Sequence, residues 1–214
     1  MALISVNPGT LLSPVPVALI GTGAAGPDGT PVRNLMTAAW VGTVCSEPPM
    51  VSVSIRPSRY SYELIERSGE FTVNLTDRDM LHGTDYCGVR SGREEDKFTR
   101  CGWTPVQAGS LRFAPGVAES PLCLGCLVRQ RLELGSHVMY IGEIVYTGVR
   151  DDLMDDSGGI CLHQDRLLTY SHGVYSATGR PLGFFGCSVA APKVYQRRMK
   201  ALADPAVPGK RKQK

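Results

Sequence analysis

Basic and hydroxyl side chains lie close together at a predicted junction between a strand and a helix. Residues 50–55 alternate apolar and small polar types, which predicts a strand with one buried face. Arg56, Arg59 and Ser61 follow directly, where the predicted helix begins. Guanidinium groups, hydroxyls and the free backbone N–H groups of a helix N-terminus are typical ligands of phosphate. The spacing therefore indicates a binding site for a phosphate group at this junction.

Lys97 is a second candidate for binding an anion. It is the only lysine among residues 1–192, and its compact ammonium group suits a phosphate or another centre of negative charge. It stands next to Glu94, Glu95 and Asp96, so an exposed helical face rich in ion pairs is an alternative interpretation.

A glycine-rich segment at residues 21–26 matches the G-x-G-x-x-G dinucleotide fingerprint and follows an apolar run. Glu47 even stands near the place of the acidic residue that this fingerprint requires. The fingerprint needs a helix after its last glycine, whereas residues 27–31 read Pro-Asp-Gly-Thr-Pro and cannot continue one. We therefore predict a hairpin loop over residues 21–30 and exclude a Rossmann domain.

The seven cysteines are scattered, and the pattern does not favour a disulfide framework. Cys123 and Cys126 form one C-x-x-C pair inside an apolar run that predicts a strand, and no second pair completes a zinc site. We interpret them as buried strand residues and assign no metal. The N-terminus lacks the features of a signal peptide, which predicts a reducing, cytoplasmic location.

The elements that must position these residues are mostly short strands. Ser58 is predicted to cap the helix after residue 55, and Gly69 to end it. Residues 77–98 predict short helical pieces broken at their three glycines. Strands are predicted at 17–20, 36–44, 50–55, 71–75 and 167–175, with a long hairpin of 122–134 and 137–149. This pattern indicates a mainly β barrel or sandwich with a few short helices.

Charge is distributed unevenly along the 214 residues. From Lys193 onward there are eight basic residues and one acid, so this tail carries +7 of a chain whose net charge is +3, and residues 1–192 carry −4. We predict a folded domain over 1–192 and a basic tail over 193–214. The acidic body and the absence of aromatic residues after Tyr195 argue against nucleic-acid binding. No apolar run is long enough to cross a membrane.

Five segments carry longer motifs. They read NLMTAAWVGT (34–43), SEPPMVSVSIRPSRYSYE (46–63), GEFTVNL (69–75), DYCGVRSGREEDKF (85–98) and ELGSHVMYIGE (133–143). In this order the chain resembles the flavin reductase-like family over about residues 15–186. The resemblance implies an FMN-binding split β-barrel of Greek-key type that forms a homodimer, as in flavoredoxins and ferric reductases.

The resemblance also implies a set of FMN-binding residues. Those expected to contact the cofactor are Asn34, Trp40, Ser61, Lys97 and His137, with Ser54, Arg56 and Tyr170 nearby. From the residues themselves, we expect backbone N–H groups of Thr37, Ala38 and Ala39 to meet the polar edge of the flavin, because the alanines leave room. Trp40 as core, Arg56 as a surface residue and His137 as a turn residue remain alternatives.

Two functions fit this site. In the first, the chain is a flavin or ferric reductase that takes a hydride from NADH or NADPH and passes electrons to free flavin, ferric iron or a protein. In the second, it is a flavoredoxin-type carrier between redox proteins and oxidises no nucleotide itself. Neither function needs a catalytic side chain, because the flavin performs the redox chemistry. We predict none.

Overall fold

The computed structural model describes residues 1–164 and 166–203, and strands dominate its regular structure. The strands are β1 (Val15–Pro16), β2 (Ala18–Ala25), β3 (Pro31–Ala38), β4 (Val41–Ser46), β5 (Pro49–Ile55), β6 (Glu70–Leu75), β7 (Pro105–Val106), β8 (Gly116–Val117), β9 (Leu122–Leu134), β10 (His137–Val149), β11 (Leu168–Ser171) and β12 (Val174–Ala177). The helices are α1 (Tyr60–Ser68), α2 (Leu81–Val89), α3 (Lys97–Cys101) and α4 (Pro192–Ala203). Across the described ranges, no helix has both the length and the apolar character that a bilayer crossing requires.

Seven strands form one antiparallel sheet in the order β3-β2-β6-β9-β10-β5-β4. Two small sheets accompany it, β1-β11-β12 and β7-β8. The main core lies on one face of the large sheet, where Ile20, Val53, Phe71 and Tyr140 are fully buried. The mainly β prediction is therefore confirmed. The long hairpin of β9 and β10 has the predicted bounds, and it joins the two halves of the sheet.

Strand β6 holds the loop that precedes β8 through its alternate polar residues. The Glu70 carboxylate accepts hydrogen bonds from the backbone N–H groups of residues 112, 113 and 114, at 2.9, 2.7 and 3.2 Å. Thr72 donates to the Pro115 carbonyl at 2.7 Å, and Asn74 accepts from the Val117 N–H at 3.0 Å. Buried backbone groups need such partners, so these three side chains fix the path of the loop.

The glycine-rich segment is a strand rather than the loop predicted for residues 21–30. Strand β2 continues to Ala25, and the turn to β3 occupies only the residues after it. A Cβ atom at Gly21 would lie 2.2 Å from the Pro115 oxygen, and one at Gly23 would lie 2.1 Å from the Phe113 oxygen. The absence of a side chain at Gly21 and Gly23 therefore lets β2 approach the backbone of residues 113–115 closely.

Three local predictions were wrong in detail. Helix α1 has Arg59 rather than Ser58 at its N-cap, without a side-chain capping bond, although Gly69 ends it in the left-handed conformation as predicted. Helix α2 runs through both Gly83 and Gly88, where breaks were predicted, and Gly83 packs against the Trp103 ring. The strand predicted over 36–44 is interrupted at Ala39 and Trp40, between β3 and β4.

The remaining regions agree with the sequence more closely. Cys123 and Cys126 are free and buried in β9, and desolvation raises the pKa of each thiol to about 12. The single strand predicted over residues 167–175 is instead the hairpin of β11 and β12, which extends to Ala177. The predicted basic tail begins inside α4, and its residues 204–214 lie outside the described residues.

Candidate functional site

A cleft of about 370 Å³ lies where the ends of β3, β5 and β10 meet α2 and the β11–β12 hairpin. Nine predicted residues line it: Thr37, Ala38, Ala39, Trp40, Ser54, Arg56, Arg59, His137 and Tyr170. They come from four separate segments, and the antiparallel register brings them together. For example, Met139 of β10 pairs with Ser54, which places His137 beside the end of β5.

The interruption between β3 and β4 shapes one wall of this cleft. The Trp40 carbonyl accepts a hydrogen bond from the Ser54 N–H at 3.0 Å, which anchors the bend to β5. The Trp40 indole stacks with the His137 imidazole at a centroid distance of 6.3 Å and an interplanar angle of 7°. With 47% of its surface exposed, Trp40 is not an ordinary core residue. The pair offers a flat aromatic surface to a ligand.

Positive charge lies on the side of the cleft next to α2. The Arg59 guanidinium donates to the Gly88 carbonyl at 2.7 Å, and burial lowers its pKa. Desolvation lowers the pKa of His137, and the nearby Arg56 charge lowers it further. Neither Arg56 nor Arg59 forms a salt bridge within the described part of the chain. Their charge is therefore available to an anionic ligand.

A smaller polar cavity of about 120 Å³ continues from the cleft at Met36, Arg59 and Val89. It lies at the N-terminus of α1 and is lined by cationic and hydroxyl side chains. These are Ser58, Arg59, Tyr60, Ser61, Arg90, Ser91 and Lys97. The free N–H groups of a helix N-terminus add to their attraction for an anion.

Asn34 supplies a buried polar group at the wall of the smaller cavity. Its side-chain amide donates to the Ser61 hydroxyl at 2.9 Å, while its Oδ1 atom is buried and has no hydrogen-bond partner within the described part of the chain. Gly92 lies directly against this amide. A Cβ atom at this position would come within 1.9 Å of Asn34 Oδ1, so only glycine fits here. An unsatisfied buried acceptor is costly, so a ligand hydroxyl that donates to it would be favoured.

Lys97 is buried rather than placed on the exposed face that its acidic neighbours suggested. Only 2% of its surface is exposed, and its ammonium donates to the carbonyls of Leu35 and Cys87, each at 2.9 Å. Desolvation lowers its pKa. No carboxylate forms a salt bridge with it among the described residues, so a buried positive charge remains close to the smaller cavity.

Two tyrosines form the outer wall of the cleft. The rings of Tyr170 and Tyr175 meet edge to face, with centroids 5.4 Å apart. The Tyr175 hydroxyl donates to the Asp85 carboxylate at 3.1 Å and so connects β12 to α2. Burial, together with this hydrogen bond, raises the pKa of Tyr175 to about 12. Tyr175 therefore remains a neutral donor at physiological pH.

The sequence analysis missed some lining residues. Asp85, Gly88, Val89 and Tyr175 line the cleft, and Arg90 lines the smaller cavity. The segment 85–98 was singled out as a motif, but its periodicity does not show which side faces a ligand. Among the described residues, no cluster of histidine, cysteine and acidic side chains is suited to a metal ion.

Comparison with known proteins defines the class to which this fold and site belong. The chain superposes on flavoredoxin of Desulfovibrio vulgaris (Miyazaki F) with a TM-score of 0.79 and 32% identity, over 88% of this chain and 100% of the other. A split barrel domain protein from Shewanella frigidimarina NCIMB 400 superposes with a TM-score of 0.70 and 25% identity, over 80% and 86%. The predicted split β-barrel is therefore confirmed.

The sequence profile of the flavin reductase like domain matches residues 11–179. This chain belongs to that family. A relative with an assigned activity is the flavin reductase (NADH) of Kitasatospora aureofaciens, 30% identical over 148 residues, which make up 67% of this chain and 72% of the relative. The predicted family resemblance is confirmed, whereas the contacts of individual residues with FMN remain predictions.

Proposed function

We propose that this chain binds FMN and uses it to transfer electrons from NADH or NADPH to an acceptor. The observation that carries the proposal is a pair of cations, the half-buried Arg59 and the buried Lys97, that have no carboxylate partner among the described residues. Burying a charge without compensation is unfavourable, and an anionic ligand would relieve it. The phosphate of FMN has the required charge.

The two connected cavities suit the two ends of this cofactor. The smaller cavity offers Arg59, Arg90 and the α1 N-terminus to a phosphate, and the unpaired Asn34 Oδ1 to a ribityl hydroxyl. The cleft offers aromatic rings and the backbone of residues 37–39 to a flat heterocycle. When bound, FMN would supply two-electron redox chemistry, with hydride from a reduced nicotinamide.

The side chains of this site would hold and orient the cofactor and exclude water from it. Trp40 and His137 provide a stacking surface. Tyr175 and Asp85 tie the outer hairpin to α2, which keeps that side of the cleft closed. The positive charge of Arg56 and Arg59 also favours negative charge that develops near them.

Replacing Arg59 tests the phosphate site. We expect Arg59→Gln to weaken FMN binding about tenfold or more, because a hydrogen bond to a charged group contributes about 1.5–3 kcal/mol. Riboflavin has no phosphate, so its affinity should change little. The measurement is a fluorescence titration of flavin-free protein with both ligands.

Arg93→Gln is the matched control. Arg93 pairs with Glu63 at 2.9 Å and lies over the Tyr60 ring, close to α1 but outside both cavities. The Arg93→Gln variant should bind FMN with the same affinity as the unmodified chain. An equal loss of both ligands in Arg59→Gln, or no loss of FMN, would contradict the proposed phosphate site.

A flavoredoxin-type electron carrier is the second candidate. The structural similarity to a flavoredoxin supports it, as does the basic helix α4, whose lysines and arginines are exposed. Such a surface suits an acidic redox partner. Anaerobic stopped-flow mixing with NADH and NADPH separates the two functions. Bleaching of the flavin absorbance supports the reductase, and the absence of bleaching with either nucleotide favours the carrier.

A further inference from the structure

A second cavity, of about 600 Å³, adjoins the cleft and is not needed for the cofactor sites described above. It lies between the N-terminal segment and β4. Five residues line both spaces and form their common boundary: Ala39, Trp40, Ser54, Tyr170 and Gly173. A ligand in the second cavity would therefore lie directly beside the contents of the cleft. Its volume is within the range of small-molecule binding sites.

The wall of this second cavity differs from that of the cleft in charge. Among the described residues that line it, none has a carboxylate, guanidinium or ammonium group, whereas Arg56 and Arg59 line the cleft. Much of its surface comes from Leu12, Val15 and Val41, together with the shared aromatic rings. A charged ligand would find no side chain of opposite charge in this wall. The chemistry of the wall favours a neutral, largely apolar ligand.

A few hydrogen-bonding groups in this wall could orient such a ligand. His172 adopts a positive φ of 46° in the turn between β11 and β12, followed by Gly173 at 86°. This turn places His172 at the cavity, together with the hydroxyls of Ser54 and Tyr170. Imidazole and hydroxyl groups can donate hydrogen bonds to a carbonyl oxygen. Flat rings and carbonyl oxygens are the features that this wall would recognise.

We propose that the second cavity binds the electron acceptor, and that this acceptor is a neutral, flat, conjugated dicarbonyl compound of the quinone class. The proposal rests on the function proposed above. Free flavin nucleotides and ferric carboxylate chelates are anionic and would find no full positive charge from lysine or arginine in the described wall. The overall reaction is balanced as quinone, NADH and one proton giving hydroquinone and NAD⁺. The electron pair and two protons end on the quinone oxygens.

Gly42 provides a direct way to fill the second cavity. It lines this cavity but not the cleft, and a Cβ atom there would meet no atom within 4 Å. Gly42→Leu should therefore fold and occupy part of the space. Gly179→Leu is the matched control, since its Cβ also has open space and it lines none of the cavities described here.

Binding is measured by equilibrium dialysis of flavin-free and FMN-loaded protein with two matched probes. These are neutral 4-methoxyacetophenone and anionic 4-acetylbenzoate. We expect the neutral probe to bind both forms, and at least tenfold more tightly than the anion. Gly42→Leu should weaken its binding at least tenfold and leave FMN affinity unchanged. Equal binding of both probes, or equal binding by Gly42→Leu and Gly179→Leu, would overturn the proposed site.

Turnover then tests the acceptor itself. Duroquinone, which has no free ring position for thiol addition, should be reduced by NADH with the FMN-loaded chain, and Gly42→Leu should raise its KM at least tenfold. If NADH bleaches the flavin and duroquinone is not reduced, the acceptor proposal is wrong. If FMN does not bind, or neither nucleotide bleaches it, the proposed function fails instead. The dialysis result with flavin-free protein can still be interpreted in that case.

Discussion

Individual side chains set the charge of the candidate site, and His137 is the one most sensitive to pH. Its imidazole stacks on Trp40 and has a lowered pKa, first because of desolvation and then because of the Arg56 charge. The unfolded chain has the ordinary value of 6.5. Below pH 6.5 the unfolded chain therefore binds the proton more readily than the folded chain. The free energy of unfolding should fall as the pH drops from 6.5 through the folded pKa.

The charge of Arg56 can be tested through this titration. We expect the NMR titration midpoint of His137 to lie below 6.5 in the flavin-free chain and to rise in Arg56→Gln, because one repulsive charge is removed. Arg78→Gln, at an exposed arginine that pairs with Asp79, serves as the control and should leave the midpoint unchanged. A midpoint at or above 6.5 in the unmodified chain would contradict the environment described for His137.

At the scale of elements, the site depends on close contacts between strands and the loop that precedes β8. Gly21 and Gly23 let β2 approach this loop, which the polar residues of β6 hold in place. Strand β2 pairs with β3, and β3 leads directly to Ala39 and Trp40. The glycines therefore support the wall of the cleft without contacting a ligand themselves.

Gly23→Ala tests this packing. The added methyl group would meet the Phe113 carbonyl, and overpacking of this kind costs about 1–3 kcal/mol. Gly42→Ala is the control in another strand. Its methyl group has open space, so its free energy of unfolding should stay the same or rise by up to about 1 kcal/mol. Urea denaturation measures both variants, and equal midpoints would contradict the role given to Gly23.

For the whole molecule, we propose that two copies of the chain associate, as the family resemblance implies. Support comes from apolar side chains outside the cleft that are about half exposed: Val44 of β4 and Leu134 at the hairpin tip, at 48% and 53%. Residues of this kind are commonly covered in stable complexes.

Sedimentation equilibrium tests this association at the scale of the assembly. We expect a mass of about twice the 23.1 kDa of one chain. Leu134→Lys should shift the equilibrium toward the single chain, because it places a charge where apolar contact is expected. Arg78→Lys keeps the charge at an exposed site and should sediment as the unmodified chain does. A single-chain mass at micromolar concentration that persists with FMN bound would contradict the proposal.

The amino-acid sequence is enough to predict the mainly β class, the long hairpin and the family, because alternation, turn residues and short motifs are local features of the chain. It also identified most of the residues around the cleft, since the motifs that contain them are local. Tertiary contacts are needed to show that Lys97 is buried, that residues 21–25 are a strand, and that Tyr175 forms a hydrogen bond with Asp85. Each of these depends on contacts with residues distant in the sequence. Periodicity and spacing cannot report such contacts.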